Sequence, residues 1–169
     1  MPSLTAEEEN RYAELQLMAL DFARGGESEP LRSMVEAGLP PNLQDEKGNT
    51  LLMLAAYHGH EDTVRMLISL GADPERKNNR GQTPLAGVAF KGEVAVARAL
   101  LEGGANAATP CDGGQTPLDF AALFGQREVF ELLSQHGANS GKRTRLGIRP
   151  STMLSVTSRL RSFFRPKSA

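Results

Sequence analysis

The chain has 169 residues with nine aromatic side chains, no Trp and a formal charge of −1. It holds no apolar run near the roughly 20 residues a spanning helix needs, and its one cysteine, Cys111, cannot form an internal disulfide. The near-neutral total conceals a division: residues 1–140 carry 11 basic and 20 acidic side chains, net −9, whereas residues 141–169 carry 8 basic and none acidic, net +8.

The acidic start, with Glu7, Glu8 and Glu9, lacks the basic and apolar regions of a secretory signal, so a cytoplasmic protein is expected. Residues 1–44 predict a helical segment. Within it Ala23, Gly26, Leu31, Val35 and Gly38 recur in kind 33 positions later as Ala56, Gly59, Val64, Ile68 and Gly71. The three stretches that follow, 45–77, 78–110 and 111–143, are closer copies of one another. Each contains Gly-x-Thr-(Leu/Pro)-Leu-x-x-x-Ala-x-x-Gly, starting at Gly48, Gly81 and Gly114, with no insertion between copies. Leu67, Leu100 and Leu133, then Gly71-Ala72, Gly104-Ala105 and Gly137-Ala138, keep the same interval. A fixed period of this length marks stacked units, and residues 1–44 then read as a degenerate N-terminal cap that lacks the Gly-x-Thr-Pro-Leu opening.

Within a unit, Thr50, Thr83 and Thr116 each precede an apolar-periodic stretch, and Pro84 and Pro117 follow two of them. A threonine cap and a proline in the first turn predict a short helix at each. Gly59, Gly92 and Gly125 should stop these helices in the left-handed conformation. Second helices are expected over about 61–70, 94–103 and 127–136, where Val64, Leu67 and Ile68, then Ala97, Leu100 and Leu101, then Phe130 and Leu133 form a buried stripe. Ala55, Ala56, Ala89, Ala121 and Ala122 keep the first helices thin enough to approach closely. The Gly, Asn, Asp and Pro residues between units, as in residues 71–81, predict protruding hairpin-like fingers.

Gly81-Gln82-Thr83-Pro84-Leu85 and Gly114-Gln115-Thr116-Pro117-Leu118 resemble the ankyrin repeat family, and the resemblance extends over roughly residues 12–143. It implies an all-α solenoid of stacked helix-turn-helix units with finger-like hairpins, acting as a non-catalytic scaffold or adaptor for a protein partner. The positions at which that family usually holds its partners correspond here to Glu46, Lys47, Asn49, Tyr57 and His58; to Asn79, Arg80, Gln82, Phe90 and Lys91; and to Asp112, Gly113, Gln115, Leu123 and Phe124. The late-helix positions form two columns, Tyr57–Phe90–Leu123 and His58–Lys91–Phe124. Exposed aromatics there would anchor an interface; alternatively, Phe90 and Phe124 tilt into the seam between helices and belong to the core. Asp119, Met53 and Ala86 stand where the family usually has histidine, which predicts altered hydrogen bonding and some loss of stability.

No chemistry emerges from the remaining residues. His58 and His60 are two apart at a helix end and cannot share one helical face, and no Cys or carboxylate at ligand spacing accompanies them, so neither a metal nor another cofactor is expected. The resemblance implies that His60, following a glycine, is a structural residue and that Cys111 takes the place of the family's usual turn Asp. Gly113-Gly114 lacks the Lys-Ser/Thr of a phosphate loop. No nucleophile, base and orienting acid can be assembled, so an enzyme is not expected. Lys47 and Arg80 beside Glu46 and Asp112 make a mixed surface, which disfavours nucleic acid. A monomer is expected.

Residues 144–169 depart from the pattern, although Gly147 and Pro150 keep its spacing loosely. On a helix, Met153, Val156, Leu160, Phe163 and Phe164 would share one side, opposite Ser155, Ser158, Arg159, Ser162 and Arg165. Residues 151–165 could lie on an anionic membrane surface, enter a partner's groove, fold back over the acidic repeats or, being rich in Ser, Thr and Arg, stay unstructured. The alternative function is therefore a membrane-peripheral or autoregulated adaptor whose basic tail is the active part.

Overall fold

The computed structural model describes residues 5–138 and 148–163, without the side chains of residue 158 and residues 160–163. The described residues form α1 (Ala6–Gly25), α2 (Ser28–Glu36), α3 (Leu51–Tyr57), α4 (Glu61–Ser69), α5 (Pro84–Lys91), α6 (Val94–Glu102), α7 (Pro117–Leu123), α8 (Arg127–Gln135) and α9 (Pro150–Phe163). None is long and apolar enough to cross a membrane.

The recurring threonines open helices by one shared hydrogen bond. The backbone N–H groups of Met53, Ala86 and Asp119 donate to Thr50, Thr83 and Thr116 Oγ1 at 3.1, 3.3 and 3.3 Å, which satisfies a donor that the first helical turn leaves without a partner. Pro84 and Pro117 occupy the first helical position, where their missing N–H forfeits nothing. Gly59, Gly92 and Gly125 then reverse the chain at φ of 83°, 86° and 66°, values that a Cβ would penalise.

Two rows of helices result. α1, α3, α5, α7 and α9 lie side by side in one, and α2, α4, α6 and α8 in the other. Ala55, Ala56, Ala89, Ala121 and Ala122 are fully buried, so the first row packs through methyl groups. Leu52, Leu85 and Leu118 fill the space between rows and meet Val64, Leu67, Ala97, Leu100 and Leu133 of the second; Ile68 and Leu101 are partly buried at its margin.

Between units the chain turns tightly. Asp45 N–H donates to Asn49 O (2.9 Å), Asn78 N–H to Gln82 O (3.0 Å) and Cys111 N–H to Gln115 O (2.8 Å). Successive fingers are stitched together, because Asn79 N–H donates to Lys47 O at 3.0 Å and Asp112 N–H to Gly81 O at 3.1 Å. Asp45 and Asn78 also cap their own turns: Asp45 Oδ1 accepts from Lys47 and Asn49 N–H, and Asn78 Oδ1 from Arg80 and Gln82 N–H. A thiol at position 111 offers no such acceptor, and Cys111 is instead buried.

Helix α9 revises the expected apolar face of the tail. Pro150 stands 33 residues after Pro117 and opens a helix that packs on α7, extending the first row by one more member. The residues that face α7 are Pro150, Met153, Leu154 and Thr157, the i, i+3, i+4, i+7 stripe; Leu154 is buried, and Thr157 Oγ1 donates to Ala122 O at 2.8 Å. Val156, placed on the apolar side by the sequence pattern, is 53% exposed, because the packed stripe is rotated away from it. Leu160 and Phe163, placed on that side by the sequence pattern, lie outside the described side chains, and Phe164 lies outside the described residues.

Candidate functional site

A groove of about 390 Å³ runs between the first two fingers and the row formed by α3, α5 and α7. Its rim carries Lys47, Asn49, Asn78, Arg80 and Gln82, and its apolar side carries Met53, Leu54, Tyr57, Phe90 and Phe120. The floor is made by Thr83, Ala86 and Gly87. The groove follows from one local peculiarity: where α3 has Met53-Leu54 and α7 has Asp119-Phe120, α5 has Ala86-Gly87, so two side chains are cut short in the middle of the row.

Six of the residues singled out from sequence therefore meet in one place: Lys47, Asn49, Tyr57, Arg80, Gln82 and Phe90. The others lie around it. Glu46, Asn79, Asp112 and Gln115 belong to the fingers, and two of these are engaged structurally: Asn79 Nδ2 donates to Glu46 O at 3.0 Å, and Asp112 pairs with Lys77 at 2.9 Å. Asn49 is also engaged, its amide donating to Asp45 Oδ2 (3.0 Å) while its Oδ1 accepts from Asn78 (2.9 Å). The sequence reading missed Met53, Leu54, Asn78, Thr83, Ala86, Gly87 and Phe120; the drop in side-chain size at Ala86-Gly87 was the signal that could have found them.

The late-helix column Tyr57, Phe90 and Leu123 is exposed by 42%, 38% and 47%, so these side chains project from the row. Phe90 and Phe124 also touch each other across the seam between α5 and α7, edge to face with ring centroids 4.3 Å apart, and each keeps more than a third of its surface open. Lys91 extends over the Tyr57 ring at 4.8 Å, a cation–π contact that orients the phenol.

The histidines come closer than helical geometry suggests. His58 ends α3 and His60 precedes α4, so the Gly59 turn between them stacks their rings with centroids 6.3 Å apart. His60 Nε2 donates to Arg24 O at 2.8 Å, which ties α1 to the α3–α4 turn and accounts for it as a structural residue. Partial burial, with the positive groups His60, Lys91 and Arg24 nearby, pushes His58 below the ordinary histidine value. Among the described residues no three His, Cys, Asp or Glu side chains converge as a metal would require. Cys111 is buried, and that burial pushes its thiol above the ordinary value.

Asp119 corrects the expectation that losing the usual histidine weakens a unit. Its Oδ2 accepts from Thr116 N–H at 2.8 Å and from Thr116 Oγ1 at 3.0 Å, while its own N–H donates back to Thr116 Oγ1, a reciprocal cap placing negative charge in the first turn of α7.

Paired helices stacked in two rows with stitched fingers define a helical-repeat solenoid with a groove on the finger side. The chain belongs to the ankyrin repeat family: the family's models for ankyrin repeats match residues 34–87 and 70–144. A Pseudomonas aeruginosa protein named as an ankyrin repeat protein, PA3287, is 58% identical over 40 residues, a match spanning 24% of this chain and 23% of that one. Ankyrin repeats are generally protein–protein interaction modules and are generally non-catalytic.

Proposed function

We propose that this protein is a non-catalytic adaptor or scaffold that holds a polypeptide partner in the groove between its first two fingers and its first-helix row. The observation that carries this reading is the exposed column Tyr57–Phe90–Leu123 bordering an open groove, since large rings left in solvent beside a hollow are the usual anchors of an interface. Leu123 and Phe124 extend the same apolar ridge beyond the groove, which suits a partner longer than the groove itself.

Affinity purification from the native cells followed by mass spectrometry identifies the partner, and Tyr57→Ala and Phe90→Ala test the surface. The expected outcome is lost capture with a melting temperature near that of the parent. Intact capture with lowered stability would show that these rings serve the fold, and the groove reading would be abandoned. The lipid-binding alternative has less behind it, because Met153 and Leu154 are turned toward α7 and away from any bilayer.

A further inference from the structure

The basic residues of the repeats are not evenly satisfied. Arg24, Arg32, Arg65 and Lys77 each have a carboxylate within 4.0 Å. Lys47 and Arg80, on the rim of the groove, have no ion pair and no side-chain hydrogen bond among the described residues, although the stretch of chain that contains them carries nearly twice as many acidic groups as basic ones. Arg11, Arg76, Lys91, Arg98 and Arg127 are likewise without an ion pair among the described residues, so what distinguishes Lys47 and Arg80 is their place: they are the charged side chains that line the groove, and no carboxylate lines it. They stand at equivalent depth in successive fingers, one residue before Gly48 and Gly81. Below them Tyr57 and Phe90 supply apolar surface, and the shortened floor at Gly87 leaves room: a Cβ placed there would meet only the Tyr57 ring, at 3.7 Å.

We propose that the groove is selective for an extended acidic polypeptide segment, its carboxylates set against Lys47 and Arg80 and an aromatic or large aliphatic side chain laid over Gly87 between Tyr57 and Phe90. This rests on the adaptor reading above and narrows its partner to one chemistry. The volume of about 390 Å³ accommodates a few side chains, not a folded domain. A nucleic acid fits less well. A phosphate chain needs many clustered cations to displace its counterions, and here two stand beside Glu46 and Asp112 on a stack of net −9. Two separated carboxylates flanking one apolar side chain match two cations flanking one apolar floor.

The test is selection of a random dodecapeptide phage library on the full-length protein, with the enriched peptides then synthesised with a fluorescent label and titrated by anisotropy. Expected are peptides rich in Asp and Glu around an aromatic or aliphatic residue, bound more weakly as salt rises, and roughly tenfold or more weaker to Lys47→Glu/Arg80→Glu. Gly87→Gln, a replacement on ordinary helical backbone that fills the floor, should abolish binding while the helix signal in circular dichroism and the melting temperature persist. Neutral or basic peptides that are blocked by Gly87→Gln but indifferent to charge reversal would overturn the acidic-segment proposal and leave the groove reading standing. An enriched set indifferent to both changes, or no enrichment, would overturn both. A labelled single-stranded oligonucleotide serves as polyanion control; tighter binding of it than of the peptides, lost on charge reversal, would also defeat the proposal.

Discussion

Asp119 shows how a single substitution can exchange one stabilising device for another. It stands where its family usually has histidine, and it stabilises α7 through the two bonds from Thr116 and the favourable end of the helix dipole. Asp119→Ala should therefore lower stability by about 1 kcal/mol, measured by urea denaturation, whereas the same change is already present at Ala86 without a reciprocal bond to lose. His58 provides a pH test of similar scale. Burial and the neighbouring His60, Lys91 and Arg24 hold it below the ordinary value of 6.5. Between its folded value and 6.5 the unfolded chain binds more protons than the folded one, so stability is whole above about pH 6.5 and declines as pH falls below it. Denaturation midpoints taken from pH 7.5 to 5.5 should show this decline, and His58→Asn should reduce its slope.

Elements differ in how much of their position is local. α5 is capped by Thr83, opened by Pro84 and closed by Gly92, yet it carries Gly87 in its interior, a residue that weakens helices. Because a Cβ at Gly87 meets only the Tyr57 ring at ordinary contact distance, Gly87→Ala should stabilise the protein by about 0.5–1 kcal/mol while narrowing the groove. A gain in thermal midpoint accompanied by weaker peptide binding would identify the glycine as kept for the groove. α9 poses the converse case, a helix of serines and threonines whose propensity alone would not hold it. Its position rests on tertiary contact through Leu154 and Thr157. Leu154→Ala should cost about 2–3 kcal/mol in denaturant unfolding, most of it through exposure of α7.

At the scale of the whole molecule, each helix from α1 to α8 packs on its row neighbours and its own partner and α9 packs on α7, so among the described residues stability is distributed along the stack with its ends held from one side only. Amide hydrogen exchange should report that gradient: slowest in α3 and α5, faster in α8 and α9 and in the first turns of α1, where residues 6–15 are exposed. Uniform protection from end to end would indicate a single cooperative core and contradict a nearest-neighbour stack. Along the sequence, charge is net acidic to residue 140 and basic beyond it, and within the acidic part the groove is lined by the cations Lys47 and Arg80 and by no carboxylate.

The helices of the complete units were legible from residues alone, because Thr, Pro and Gly act through bonds and dihedral angles within a few positions and the 33-residue interval repeats those local instructions. The apolar stripes on α4, α6 and α8 were legible for the same reason. Local pattern did not reveal that Tyr57, Phe90, Lys47 and Arg80 share a hollow, or that α9 turns Leu154 inward and leaves Val156 in solvent. Each of those depends on which side chain an adjacent unit presents across the seam, and that is settled by packing between segments about 33 residues apart, beyond the reach of any local rule.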